Sequence, residues 1–221
     1  MPEESLETNA FVIVLNEVFR DELRDALFWN SDKNDYGKNW PVIRKSIIER
    51  DHNECTLCHT KGSISTLHVH HIQPYRTFTD KTKANDPSNM ITLCPDCHRR
   101  VEQNVQLRSG LAGYAAAFHQ LAALFTECDS GDISISVEQD CAEFNGRPAV
   151  YLYENTPGGI GLSQAIADRF DEINEAVIGL IRNCPCTDGC PGCIGAAGEN
   201  GIGGKAEALA IGTGIGAVKN E

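Results

Sequence analysis

Eight of the ten cysteines in this 221-residue chain fall into two groups of four, and their spacing constrains the fold more than any other feature. Four thiolates that close on one point form a typical structural zinc site, which substitutes for the hydrophobic core that a short segment cannot build. The first group is Cys55, Cys58, Cys94 and Cys97, and the second is Cys184, Cys186, Cys190 and Cys193. The spacing therefore predicts two structural Zn2+ ions. Cys128 and Cys141, outside both groups, are interpreted as small buried side chains.

The chain has neither an apolar run of membrane length nor the basic N-terminus of a signal peptide. We therefore expect a cytoplasmic protein with no membrane association. Thiols in that compartment stay reduced, which disfavours disulfides and favours metal binding by the cysteine groups. For the second group, a redox dithiol is the alternative, but that chemistry needs one cysteine pair, whereas four cysteines favour zinc.

Charge is distributed unevenly along the chain. The formal net charge of -12 argues against a protein that coats nucleic acid by electrostatics alone. Residues 35–107, however, contain 10 Lys and Arg against 8 Asp and Glu, so this stretch repels phosphate least. The acidity elsewhere fits either a protein-docking surface or a salt-loving source, and the sequence leaves both open.

Hydrophobic periodicity predicts a mixture of strands and helices. Strands are expected at 11–15, 133–137 and 149–153, and helices at 18–27, 107–125 and 162–181. Asn39 and Pro41 suit the cap and first turn of a further helix, whose apolar face contains Ile43, Ile47 and Ile48. The tail is rich in Gly and Ala, and we expect part of it to be mobile.

Further polar residues accompany the first cysteine group. The cysteines alone would favour a purely structural zinc ribbon. The same segment also carries polar residues that a ribbon does not need, namely His70, His71, Asn89 and His98. In this order they resemble the HNH (ββα-metal) endonuclease family over residues 40–102.

The HNH resemblance implies a site for one catalytic divalent metal, Mg2+ or another ion, bound by His70 and His98. It also implies that His71 is the general base, because a neutral imidazole can accept a proton from water near neutral pH. Asn89 is expected to hold the hairpin and to orient the His71 ring. Adjacent residues of a strand point to opposite faces, so a shared site for His70 and His71 requires a distorted hairpin.

Glu102 lies one helical turn after His98, where many HNH proteins have a further histidine. As a ligand, its carboxylate would favour Mg2+ or Mn2+ over Ni2+ or Zn2+. As a solvated helix residue, it would pair with Arg99, and the sequence leaves both open. Candidates for contact with DNA phosphates, each of which could equally be a solvated surface residue, are Arg76, Arg99 and Arg100. The remaining histidines near the motif, interpreted as structural or solvent-facing, are His52, His59 and His68.

The second cysteine group follows a strand ending at Tyr153, a glycine turn at 158–161 and a long amphipathic helix. This order resembles the C-terminal zinc-binding domain of MrfA-like superfamily-two DNA helicases, and the resemblance covers most of residues 5–34 and 108–210. It implies an HNH domain inserted into a helicase-accessory domain. The glycine stretches lack the residues of a P-loop or a dinucleotide fingerprint, so we expect no nucleotide cofactor.

The expected fold class is α+β, with a zinc-stapled ββα-metal HNH finger inserted into a small α+β domain that carries the second four-cysteine zinc site. The accessory-like domain is expected in two segments, 1–34 and 108–198. The HNH nuclease domain occupies 35–107, and a Gly- and Ala-rich tail occupies 199–221.

The expected function is hydrolysis of DNA phosphodiester bonds by a metal-dependent HNH endonuclease that works with a superfamily-two helicase or a related DNA-processing subunit. The alternative is a zinc-dependent DNA-binding or helicase-adaptor subunit with a degenerate nuclease fold. The complete set of His70, His71, Asn89 and His98 favours the nuclease, because an adaptor has no need of it.

Overall fold

The computed structural model describes residues 6–16, 35–73, 75, 78–195 and 204–217. The strands in this part of the chain are β1 (Ala10–Val14), β2 (His68–His71), β3 (Met90–Leu93), β4 (Ile133–Cys141) and β5 (Arg147–Glu154). Its helices are α1 (Trp40–Arg50), α2 (Lys81–Ala84), α3 (Pro95–Phe125), α4 (Leu162–Asp168), α5 (Phe170–Asn183), α6 (Pro191–Ile194) and α7 (Lys205–Ala217). The helix expected at 18–27 lies outside the described residues.

The chain divides into two compact units. The central unit is Phe28–Val105, and the flanking unit combines Met1–Leu27 with Gln106–Glu221. Helix α3, Pro95–Phe125, contains the boundary between them. Antiparallel strands and separate helices in both units confirm the α+β fold class.

The central unit is built on an antiparallel hairpin covered by one helix. β2 pairs with β3, and the register places His70 opposite Ile91. Helix α1 has Pro41 in its first turn, where a backbone N–H has no partner within the helix, which confirms the predicted helix. The small core between helix and hairpin consists of Ile47, Ile48, Leu67, Val69 and Met90. A core this small buries little apolar surface, so the unit needs metal cross-links for its stability.

The flanking unit contains a three-stranded antiparallel sheet in the order β1–β5–β4. Tyr151 of β5 lies between Val12 of β1 and Ser136 of β4. The strands predicted at 11–15, 133–137 and 149–153 are confirmed. Helices α3 and α5 share the core of this unit through Leu111, Tyr114, Phe118, Ile173, Val177 and Ile181.

One prediction about the second half of the chain was wrong in detail, and the expected mobility of part of the tail stays a prediction. The helix predicted over 162–181 is two helices, because the backbone at Arg169 leaves the helical conformation, with φ -111° and ψ 14°. The tail includes a regular helix, α7, whose Ala208 and Ile211 are fully buried in the core. Glycine makes this packing possible, since a Cβ atom at Gly110 would lie 2.8 Å from the Cβ of Glu207.

Among the described residues, no helix combines the length and the apolar character needed to cross a membrane.

Candidate metal centres and nuclease site

The first cysteine group converges at the side of the hairpin. The sulfurs of Cys55, Cys58, Cys94 and Cys97 all lie within 4.8 Å of one another. The Sγ atoms of Cys58 and Cys94 are 3.7 Å apart, and a tetrahedron with Zn–S bonds of ~2.3 Å places its sulfurs roughly 3.8 Å apart. All ten cysteines of the chain are described and free of disulfides, so these four thiols fit one structural Zn2+.

Local hydrogen bonds and burial change the acidity of the thiols in this cluster. The hydroxyl of Thr60 lowers the pKa of Cys58, whereas burial raises the pKa of Cys97. A guanidinium nitrogen of Arg100 lies 3.4 Å from the Cys97 sulfur and donates to it. A cationic donor beside a site with four thiolates offsets part of its negative charge.

The three arginines expected at phosphate have different surroundings. Arg100 donates to the sulfur of Cys97, so its guanidinium supports the first cysteine cluster. Arg99 forms a solvent-exposed ion pair with Asp96, at 3.6 Å. Arg76 lies outside the described residues. Contact between any of the three and DNA stays a prediction.

The second cysteine group forms a comparable cluster in the flanking unit. The Sγ atoms of Cys184 and Cys190 are 3.6 Å apart, and those of Cys186 and Cys193 are 3.5 Å apart. All four sulfurs lie within 4.8 Å of one another, which again fits a tetrahedral Zn2+ site. The ammonium group of Lys205, in α7, donates to the carbonyl oxygens of Cys184 and Cys186 at 2.6 and 2.8 Å. The sequence offered no signal for this contact, since Lys205 follows a glycine-rich stretch that lacks a P-loop.

A third cluster joins the hairpin to the start of helix α3. His70 of β2 and His98 and Glu102 of α3 offer ligand atoms within 4.8 Å of one another. Both imidazoles are largely buried, and their rings lie 5.4 Å apart and almost perpendicular. Two imidazoles and one carboxylate form a donor set that suits a divalent metal with open coordination positions.

Burial controls the protonation of this cluster. It lowers the pKa of both His70 and His98 to about 4 and raises the pKa of Glu102 to about 7. The two imidazoles therefore keep their lone pairs at neutral pH, as metal ligands must.

His71 has different neighbours from His70, as the alternation of a strand requires. Its ring lies 5.2 Å from the ring of Tyr36, 5.4 Å from that of Trp40 and 5.6 Å from that of Tyr75. Burial lowers the pKa of His71, and a hydrogen bond with Asn85 raises it in part. The distorted hairpin expected for a site shared by His70 and His71 is not found, because β2 pairs with β3 in regular register. A charge on His71 would lower the pKa of His70.

Asn89 holds the chain that follows β2. Its side-chain oxygen accepts from the backbone N–H of Gln73 at 2.8 Å, and its amide donates to the carbonyls of Gln73 and Ala84 at 3.0 and 2.9 Å. The expectation that Asn89 stabilises this region agrees with these bonds. The expectation that it orients the His71 ring does not, because the ring nitrogen Nε2 is bonded to Asn85, at 3.0 Å. The short helix α2 brings Asn85 to the ring, a contact that local sequence patterns do not encode.

Two further residues lie near the third cluster, namely Arg44 and the exposed His68, which the sequence had indicated to be structural or solvent-facing. The His68 ring lies 4.9 Å from the His98 ring, beside the metal candidates. Strand alternation could have indicated this, because His68 and His70 share one face of β2. Arg44 donates to the carbonyl oxygen of Leu67 at 2.6 Å. Partial burial is the main cause that lowers the pKa of His68, and the positive charge of Arg44 lowers it further.

Comparison with protein families identifies both units. The family model described as "HNH endonuclease" matches residues 55–104, and the family model described as "MrfA Zn-binding domain" matches residues 114–194. The chain combines an HNH domain with an MrfA Zn-binding domain. Their order and positions confirm the resemblances inferred from the two cysteine groups.

Individual relatives of the chain include helicases. An uncharacterized ATP-dependent helicase of Bacillus subtilis, YprA, is 42% identical over 85 residues, which are 38% of this chain and 11% of that protein. The uncharacterized protein MJ1572.1 of Methanocaldococcus jannaschii is 29% identical over 77 residues, 34% of this chain and 69% of that protein. A crystal structure of the DUF1998 helicase MrfA bound to DNA is 36% identical, with a TM-score of 0.45, and the match covers 49% of this chain and 14% of that one. The chain therefore spans about a tenth of the length of the helicase YprA.

Proposed function

We propose that this chain is a divalent-metal-dependent HNH endonuclease that hydrolyses DNA phosphodiester bonds. The observation that carries the proposal is the convergence of His70, His98 and Glu102 within 4.8 Å, next in sequence to the buried imidazole of His71. The match of residues 55–104 to the HNH endonuclease model supports the same activity.

Each part of the site has a separate task in this proposal. A divalent metal, when bound, polarises the phosphodiester and stabilises the departing 3′ oxygen. His70, His98 and Glu102 bind that metal, and His71 removes a proton from the attacking water. The first zinc cluster supports the geometry because Cys97 and His98 are adjacent on α3, so a zinc held by Cys97 also fixes the position of His98.

The flanking unit is proposed to dock the nuclease to a superfamily-two helicase or a related DNA-processing subunit. Its match to the MrfA Zn-binding domain and the similarity of the chain to the helicase YprA support this role. DNA would then reach the central unit, the least acidic part of the chain, through a partner that already binds it. The experiment is affinity purification from the native host under conditions that preserve zinc. Repeated recovery without an ATP-dependent translocase or related DNA-processing subunit would contradict this part of the proposal.

The nuclease activity is tested by nicking of a supercoiled plasmid by the zinc-loaded protein with Mg2+, Mn2+ or Ni2+. We expect His71→Ala to lower the cleavage rate by ~10²–10⁴-fold while zinc content and fold are retained, because a general base contributes to the rate and not to the zinc clusters. His119→Ala is the matched control, since His119 bonds to the carbonyl of Ile133 in the flanking unit. Wild-type cleavage by His71→Ala would contradict the role of His71. No cleavage by the wild type with any metal would favour the alternative, a DNA-binding or helicase-adaptor subunit.

A further inference from the structure

The side-chain amide of Asn85 connects the His71 ring to the backbone of Tyr36. Its nitrogen Nδ2 donates to the carbonyl oxygen of Tyr36 at 3.0 Å. Its oxygen Oδ1 lies 3.0 Å from Nε2 of His71. Asn85 is separated from these partners by 49 and 14 residues, and it follows the last residue of helix α2.

These two contacts determine which nitrogen of His71 carries its hydrogen. A backbone carbonyl only accepts hydrogen bonds, so the amide group that faces Tyr36 must be the NH2 group. The oxygen of Asn85 then faces His71, and because this oxygen also only accepts, Nε2 must be the donor. A neutral imidazole has a single N–H, so the lone pair of His71 is on Nδ1.

The surroundings of the ring hold this orientation. The Tyr36 ring is stacked on His71 with 12° between the ring planes, and the Trp40 ring with 19°. Tyr75 meets the ring edge-on, and its hydroxyl donates to the carbonyl oxygen of Asp35 at 2.8 Å. Asn89 donates to the carbonyl of Ala84, the last residue of α2, and so supports the residue that precedes Asn85.

We propose that Asn85 is the positioning residue that fixes His71 as its Nε2–H tautomer and thereby makes Nδ1 the atom that accepts the proton of the attacking water. The inference rests on the proposed function, in which His71 is the general base. Asn89, the Asn of the HNH motif, acts on His71 only indirectly, because it holds the end of α2 next to Asn85.

The proton and electron balance follows from this assignment. A water O–H bond breaks, its proton forms a bond to Nδ1, and the hydroxide oxygen bonds to phosphorus as the bond from phosphorus to the 3′ oxygen breaks. The imidazolium then carries hydrogen on both nitrogens, and the oxygen of Asn85 stabilises it by accepting from Nε2. The departing 3′ oxygen takes its proton from solvent, and His71 later returns its proton to solvent.

The test compares the tautomer with the kinetics. Long-range 1H–15N correlation spectra of the zinc-loaded protein at about pH 8, above the ordinary imidazole pKa of ~6.5, report which ring nitrogen of His71 is protonated. We expect the Nε2–H tautomer in the wild type and a mixture of tautomers in Asn85→Leu. We also expect kcat for plasmid nicking to fall by about 10–100-fold in Asn85→Leu with KM for DNA unchanged, because residues that orient a reacting group act on the rate. Asn85→Asp, which keeps an acceptor oxygen, should retain the Nε2–H tautomer and recover much of the lost kcat.

The control is Asn39→Ala, since the Asn39 side chain makes no capping hydrogen bond to the described first turn of α1. It should leave both readouts unchanged. An Nδ1–H tautomer in the wild type, or an unaltered tautomer and kcat in Asn85→Leu, would overturn the inference. The spectra need no DNA cleavage, so they decide the effect of Asn85 on His71 even if the wild type proves inactive and the proposed function fails.

Discussion

The Nε2 atom of His98 and the Oε1 atom of Glu102 lie 3.4 Å apart across one turn of helix α3. The sequence left open whether Glu102 binds metal or pairs with Arg99 on a solvated surface. Arg99 is paired with Asp96, and the Glu102 side chain is only 24% exposed. Proximity to two buried imidazoles and partial burial therefore favour the ligand hypothesis, which a change of metal preference can test.

We predict that Glu102→His shifts the preferred metal of the nuclease toward Ni2+ or Zn2+. A carboxylate is a hard ligand that suits Mg2+ and Mn2+, whereas imidazole suits the later transition metals. The measurement is the rate of plasmid nicking with each metal for the variant and the wild type. Glu49→His, at an exposed position of α1, is the matched control. An unchanged rank order of metals in Glu102→His would refute the ligand role.

Two tightly bound zinc ions per chain are expected after mild chelation, one for each cysteine cluster. Cys94→Ala should leave about one zinc and unfold the central unit, because structural zinc binding contributes directly to folding. Cys128→Ala should keep both ions, since Cys128 belongs to neither cluster and contacts Thr126. Elemental analysis with circular dichroism measures both effects. A wild-type value near one zinc would remove one cluster from the assignment.

Lys205→Met should destabilise the flanking unit by about 1–3 kcal/mol and speed zinc loss from the second cluster. The variant preserves the length of the side chain but removes the donors to the carbonyls of Cys184 and Cys186. Urea unfolding and the rate of zinc transfer to a chelator provide the two measurements. Lys45→Met, at an exposed position in the central unit, controls for loss of a positive charge. Equal zinc-transfer rates in both variants would argue against support of the cluster by Lys205.

Glu154→Gln should lower the free energy of unfolding at pH 7 by about 1–3 kcal/mol. The buried Glu154 carboxylate accepts from the backbone N–H groups of Ile160, Gly161 and Ser163 and so holds the glycine turn before α4. Burial opposes ionisation, but these donors outweigh it and lower the pKa of Glu154.

Because the folded-state pKa of Glu154 is lowered, its stabilisation is present above the unfolded value of ~4.3 and is lost as pH falls through the folded value. The stability difference between wild type and Glu154→Gln should therefore shrink in acid. Urea titrations at several pH values measure it, with the exposed Glu138→Gln on β4 as control. A difference that stays constant from neutral to strongly acidic pH would contradict this explanation.

Spacing along the chain was sufficient to identify the residues whose partners are local or share a motif. The two cysteine groups, the pair His70 and His71, and His98 were recognisable because zinc and HNH sites impose fixed separations between ligands. The strands of the flanking unit were predictable for a similar reason, since alternating burial repeats every second residue.

The tertiary structure alone decided which side chains support those sites. The bond of Asn85 to His71, that of Arg100 to Cys97 and those of Lys205 to the second cluster depend on turns and helix ends that bring distant segments together. It also decided that the small residues of the tail form a packed helix, because glycine permits a close contact between helices. From composition alone, the same residues had indicated only a segment of low complexity. Periodic patterns record which face of an element is buried, but they carry no information on which long-range neighbour supplies a hydrogen bond.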